Sequence, residues 1–406
     1  MQFPLLNKDN RKEFDLRIDK VRNAFLRHYG CDKTSAPGDA LIVSSTVNLI
    51  YLAGGVCRGY FYIPTDPQKK PLFFMIPPAR VSENDEISIR KPEQIPAELE
   101  KLGYPLPERL AIEYDDLAYS AVERVKKAFA SSEFLDAGVV MREARMIKTE
   151  YEVMKMREDG LKHCAAYSRI GACYKDGMTD VEFQIEIERI LRREGCLGFP
   201  RVAGASMEIN LGSVIAGDNA NEPSPYDFTM GGSGVDPSLP VGACGMIIKP
   251  GMTVMVDVNG GFNGYQTDMT RCWYLGDIPE LAFKAHDCSR AILRDFEANA
   301  LPGTEIGELY RRAERIVAER NLSEYFMGYR HKVKFIGHGI GIQLNEQPVI
   351  MERNKSLLEE NMALAIEPKF VIPSVGAVGV ENTYIVRAKG LENLTNYKED
   401  LQQLQV

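Results

Sequence analysis

The 406-residue sequence predicts two domains, a smaller α/β domain over residues 1–145 and a larger α+β domain over residues 146–406. Three observations lead there. The chain is longer than one hydrophobic core usually supports. Its first third alternates helical and strand-like runs. Beyond residue 145 a pair of helix-capping signals opens a new pattern, in which long helices accompany long β segments.

In the first domain, apolar residues recur at helical spacing over about residues 14–29. ALIVSSTVNLIYLAG then reads as two short strands ending at Gly54 and Gly55. PLFFMI and RLAIEY read as buried strands, and DLAYSAVERVKKAFAS as an amphipathic helix. In the second domain Thr149 with Glu152 forms a capping box ahead of a long helix ending at Gly177. Thr179 with Glu182 repeats the device ahead of DVEFQIEIERILRREG, which closes at Gly195, and a third helix covers about residues 305–320. Over about residues 216–245 the chain is rich in Gly, Pro, Asn and Ser and longer than most connections, which predicts an ordered lid or binding loop.

Composition narrows the function. Apolar (45%), charged (26%) and aromatic (9%) shares are those of an ordinary globular protein. Lys and Arg total 49 against 57 Asp and Glu, a net charge of −8 with no basic block, which argues against a nucleic-acid partner. The eight cysteines form no CxxC pair and suit reduced thiols rather than a thiolate zinc site. No run approaches the ~18 apolar residues of a membrane span, and no apolar leader follows a basic stretch. A cytoplasmic protein without a membrane partner is expected.

Chemistry concentrates in the C-terminal half. TVMVDVNGGFNGYQTDMTRCWYL reads as a hairpin whose turn is rich in Gly and Asn, with Asp257 and Asp268 on opposite arms. Folded about Phe262 and Asn263, it places them face to face, ~5 Å apart. Carboxylates are disfavoured in strands, and two on one face beside Val254, Val256 and Val258 need a compensating cation, for which a divalent metal is the natural candidate. NMALAIEPKFVIPSVGAVGVENTYIV repeats the arrangement, because folding about Ser374 brings Glu367 opposite Glu381. A carboxylate paired with Arg or Lys would explain either hairpin alone; two such hairpins point to metal. His338 lies in FIGHGIGIQLNEQP, where flanking glycines permit close backbone approach. Four carboxylates and one imidazole suit a pair of divalent ions such as Mn, Co, Fe or Zn. Two ions ~3.5–4 Å apart can hold a hydroxide between them.

These motifs resemble the creatinase, prolidase, Xaa-Pro aminopeptidase and methionine aminopeptidase family of "pita-bread" metallohydrolases. VSSTVNLIYLAG is similar to its N-terminal domain motif and REARMIKTEYEVMKMRED to the helix entering its catalytic domain; VDVNGGFNGYQTDMTR, GHGIG, AIEP and VENTYIV follow in family order. The resemblance implies a pita-bread catalytic domain behind a creatinase-type N-terminal domain, two divalent ions, a hydroxide attacking an amide carbonyl, a short-peptide or small-molecule substrate and a homodimer. By the same resemblance Asp257 chelates one ion, His338 and Glu367 bind the other, Asp268 and Glu381 bridge them, and Glu367 also moves a proton.

The sequence departs from the family at two histidines that contact substrate. Asn345 stands where the motif after GHGIG has one, and the 216–245 stretch contains no imidazole. Only His28, His163, His286, His331 and His338 exist in the chain, leaving His331 as the candidate replacement. Losing an oxyanion donor lowers kcat by ~100- to 1,000-fold. Asn345, together with Tyr226, Asp227 and Asn219 on the long loop, is the expected source of substitute polar groups. The alternatives are a small non-peptide substrate, handled by an amide hydrolase or lyase, and a protein that binds metal without catalysis.

Overall fold

The structure is a computed structural model that describes residues 10–30, 38–78, 86–204, 208–226 and 228–405. It divides into two compact units, Met1–Arg145 and Met146–Val406.

The first unit contains α1 (Arg11–Tyr29), β1 (Ala40–Val43), α2 (Thr46–Ala53), β2 (Gly59–Pro64), β3 (Leu72–Met75) and β4 (Glu86–Ser88). It continues with α3 (Ile95–Lys101), β5 (Arg109–Ile112), α4 (Tyr119–Ala128), β6 (Glu133–Asp136) and α5 (Ala137–Met146). The strands form one mixed sheet in the order β4-β3-β2-β1-β5-β6. On one face Ile42, Tyr62, Phe74, Leu110 and Ile112 meet Ile95, Leu99, Val122 and Val125 of α3 and α4. On the other, Phe14 of α1 packs its ring on Phe61. This is the expected α/β domain with one correction: VNLIYLA is the helix α2, not a strand. Its cause lies 65 residues away, in the wholly buried Glu113, which accepts the N–H groups of Ser44 and Ser45 and the side-chain donors of Ser45 and Asn48. The carboxylate fixes the two residues at the helix entrance and sits at the positive end of the helix, which favours helix, and Gly54, at φ 79°, closes it.

The second unit opens with α6 (Glu150–Tyr167) and α7 (Asp180–Arg193), both carrying the expected capping boxes. α6 stops at Tyr167, ten residues short of the predicted end. Then come β7 (Gly212–Ala216), β8 (Thr253–Gly260), β9 (Thr267–Tyr274), α8 (Glu280–Asn299) and α9 (Ile306–Glu319). The remaining strands are β10 (Gly337–Gly339), β11 (Glu346–Val349), β12 (Ala363–Ile366), β13 (Lys369–Ile372), β14 (Gly376–Gly379), β15 (Asn382–Arg387), β16 (Gly390–Asn393) and β17 (Gln402–Gln403). One sheet runs β17-β9-β8-β7, a second β11-β10-β12-β15-β16, and β13 and β14 form a two-stranded sheet.

Strand alternation sorts these sheets into greasy outer and polar inner faces. Val254, Val256, Val258, Met269 and Trp273 pack against α6 and α7. They therefore point away from Asp257 and Asp268, whereas the sequence had suggested that the three valines share the aspartates' surroundings. Leu364, Ile366, Tyr384 and Val386 of the second sheet pack against α8 and α9 in the same way. The inner faces are joined by Thr383, whose hydroxyl donates to Asp268 O and accepts Asp268 N–H at 2.9 and 2.7 Å.

Arg271 ties the same region from behind. Its buried guanidinium donates to the carbonyls of Thr270, Glu381, Thr395, Tyr397 and Lys398 and to Asn382 Oδ1. Replacing it orphans several buried acceptors at once. Arg271→Met should lower unfolding free energy by about 3 kcal/mol or more; a urea titration showing a loss under about 1 kcal/mol would mean these bonds do not organise the sheet.

Candidate metal centre

The five residues singled out by the sequence converge between the inner faces. In the first hairpin Asp257 pairs with Thr270, and Asp268 with Asn259. The turn is thus centred between Asn263 and Gly264, one residue later than predicted. Moving the centre by one residue shifts cross-strand partners by two, which preserves the face. The aspartates are diagonal neighbours rather than opposed.

The second hairpin follows the predicted register about Ser374, with Lys369 opposite Gly379 and, in the continuing ladder, Ile366 opposite Asn382. Ser374 takes a left-handed φ of 63°, and its N–H donates to Asp218 Oδ1 at 2.7 Å. Between the paired segments the hairpin crosses from one sheet to the other. Glu367 and Glu381 occupy that break. His338, opposite Ala365, completes the group.

The donors form two groups of three, Asp268–His338–Glu381 and Asp257–Glu367–Glu381, each with ligand atoms within 4.8 Å of one another. His338 Nε2 faces Asp268 Oδ2 at 3.9 Å and Glu367 Oε1 at 3.7 Å. Its Nδ1 lies 3.0 Å from the Gly339 carbonyl; with the proton there, Nε2 keeps its lone pair for the carboxylate side. Glu381 Oε1 is buried without a hydrogen-bond partner among the described residues, a costly state unless a cation sits against it. These atoms fit one divalent ion.

The second group already holds a cation that sequence reading passed over. Lys369, fully buried, places Nζ 2.6 Å from Asp257 Oδ2, 2.7 Å from Glu367 Oε2 and 3.5 Å from Glu381 Oε2. It also donates to Thr229 Oγ1 at 3.1 Å, and Thr229 in turn donates to Glu367 Oε2 at 2.7 Å. The available signal was a lysine two residues beyond Glu367, at the head of the apolar run FVI. Burial alone would lower the pKa of Lys369, but Asp257, Glu367 and Glu381 outweigh it and hold the group well above its ordinary value. Burial first, then neighbouring carboxylates, pushes Asp268 and Glu381 well above the usual carboxylate range, with Lys369 opposing.

The remaining candidates lie elsewhere. Asn345 borders the cavity over the acids, but its amide donates to Ala203 O at 3.1 Å and accepts Ala203 N–H at 2.7 Å, pinning a wall segment as a backbone pair would. Asn219 is buried inside the long loop, binding Gly242 O and both donors of Ser233. His331 and Tyr226 line a separate small recess. Asp227 lies outside the described residues. The loop residue that does reach the acids is Thr229.

The cavity itself measures about 350 Å³, with Asp257, Asp268, His338 and Glu367 on its floor and Phe228, Phe335, Leu344, Val349 and Met351 among its walls. Without a bound ion the fold favours protonated Asp268 and Glu381, so it retains protons that the unfolded chain releases near ~4, and this contribution to stability falls as pH rises above that range. Chelator-treated protein should therefore lose urea resistance between pH 5 and 8. Saturating Mn²⁺ should flatten that slope and, at a thousandfold excess over Kd, add about 4 kcal/mol; parallel pH profiles with and without Mn²⁺ would contradict the assignment.

Comparison with known proteins agrees with this architecture. The model of metallopeptidase family M24 matches residues 154–388, and that of the creatinase/prolidase N-terminal domain residues 33–147. An Xaa-Pro dipeptidase of Pyrococcus furiosus is 27% identical over 378 residues, covering 89% of this chain and 95% of that protein. A putative dipeptidase of Bacillus subtilis is 28% identical over 282 residues, covering 69% and 68%. Among solved structures, an Xaa-Pro dipeptidase from Bacillus anthracis (TM-score 0.75, 22% identity, 96% and 99% covered) and a Pyrococcus horikoshii prolidase (0.72, 21%, 95% and 99%) share the pita-bread fold. The chain belongs to metallopeptidase family M24 and is a metallohydrolase with a creatinase/prolidase-type N-terminal domain.

Proposed function

We propose that this protein hydrolyses an amide bond in short peptides, with proline on the leaving side, using the centre on the floor of the cavity. The observation that carries the reading is the convergence of His338, Asp268, Glu367 and Glu381 beside a cavity whose walls include Phe228, Phe335, Val349 and Met351. A divalent ion held by these residues supplies Lewis acidity and an activated water. The chain's own contributions follow from the geometry. Phe228, Phe335, Val349 and Met351 suit a pyrrolidine ring better than a charged side chain, and a cavity of about 350 Å³ accommodates a di- or tripeptide rather than a protein segment. Glu367 directs Oε1 toward His338 while Thr229 and Lys369 hold Oε2, so its free oxygen is positioned to take a proton from the nucleophile. The two-ion arrangement implied by the family requires Lys369 to leave the Asp257 group.

One observation favours a second reading, a small non-peptide amide or carbon–heteroatom substrate. Both polar atoms of Asn345 are committed to Ala203, and among the described residues His338 is the one imidazole lining the cavity. The donors that usually steady a peptide carbonyl are therefore reduced.

Metal-stripped protein resupplied with Mn²⁺, Co²⁺ or Zn²⁺ should cleave Xaa-Pro dipeptides or tripeptides, and Asp268→Asn should lower kcat at least 100-fold while leaving the circular dichroism spectrum unchanged. Absence of turnover on every proline peptide by metal-loaded protein would remove the peptidase reading in favour of the second.

A further inference from the structure

Lys369 changes how many ions the site can carry. Its ammonium contacts Asp257 and Glu367 at 2.6 and 2.7 Å, with Glu381 at 3.5 Å, the same three carboxylates that form the second donor group. A divalent ion bound by that group requires oxygens at ~2.0–2.2 Å, so ion and ammonium cannot share the space. The lysine is also built in. Its stem leaves β13 opposite Gly379, where an added Cβ would lie 2.7 Å from the Pro368 carbonyl oxygen, 3.0 Å from Lys369 Cα and 3.1 Å from Cγ. The bare glycine leaves the stem its path. Three N–H donors meet Asp257, Glu367 and Thr229, so the ammonium is saturated, and its side chain is fully buried.

Charge points the same way. Two divalent ions plus the ammonium would place five positive charges on four carboxylates, whereas one ion plus the ammonium places three. The second count brings the four carboxylates to within one charge of neutrality without a second ion, which limits the cost of burying them.

We infer that Lys369 is a tethered cation standing in the second metal position, so that this chain binds a single divalent ion, at the Asp268–His338–Glu381 group. The inference rests on the reading of this site as a metal centre. Lys369 then acts as a positioning residue: it neutralises Asp257, fixes one oxygen of Glu367 and leaves the other facing His338.

The test is metal stoichiometry on the full-length chain. Metal-free protein dialysed against excess Mn²⁺ and analysed by plasma mass spectrometry should retain one ion per chain, with an electron paramagnetic resonance spectrum of isolated Mn²⁺ rather than a spin-coupled pair. Lys369→Ala, which empties the position, should retain two ions and show the coupled spectrum. Two ions per wild-type chain would overturn the inference and leave the metal centre standing; no retained ion would overturn both. Lys369→Ala that folds but still retains one ion would show that the Asp257 group is not a metal position. The wild-type measurement decides the matter even if the variant does not fold.

Discussion

Four carboxylates in a water-poor cleft repel one another, and the second unit is arranged around the positive charge that lets them coexist. Lys369 supplies part of that charge from within the chain, and the remainder is left to an ion. The demand explains features that otherwise look unrelated: the hairpin that breaks at Glu367 and Glu381 to cross between sheets, the hydroxyls of Thr229 and Thr270 on carboxylate oxygens, and an arginine behind the strands that holds the Glu381 carbonyl in place. Each reduces the cost of holding acids out of water.

The two sheets do different work. Outer faces filled by valine, leucine and isoleucine pack against paired helices and stabilise the unit, while inner faces are left for polar residues on rigid strands. Positions fixed by strand pairing on both sides hold their side chains more closely than loop positions do. Much of the cavity wall, by contrast, comes from loops, where Asn345 grips Ala203 from both its polar atoms in place of backbone pairing; within the long loop Asn219 likewise clamps Gly242 and Ser233.

Much of this was legible in the sequence because it depends on local rules. Capping boxes at Thr149 and Thr179 need only a residue three positions away, and the period of two placed Asp257 with Asp268, and Glu367 with Glu381, on common faces even where the first turn was misplaced by one residue. What escaped reading depends on contacts distant in sequence. α2 looked like a strand because Glu113, which binds the residues at its entrance and the Asn48 side chain, lies 65 residues downstream of Asn48. For Asn345 and Asn219 the sequence could not separate a side chain that binds substrate from one that binds neighbouring backbone, which is what both do here. Lys369 was passed over because a lysine in a strand reads as an edge residue, and only the assembled hairpins show it aimed inward.

Gly379 carries a meaning beyond room for a neighbour. Any side chain there would press first on the Pro368 carbonyl and then on Cα and Cγ of Lys369, so the bare position keeps both the β13 backbone and the root of the lysine stem in place across one rung of the β13–β14 ladder. On the inference drawn above, the number of ions is written at position 369, which is not itself a ligand. A chain that keeps every donor would then change that number by exchanging one residue, without touching the acids by which such sites are ordinarily recognised.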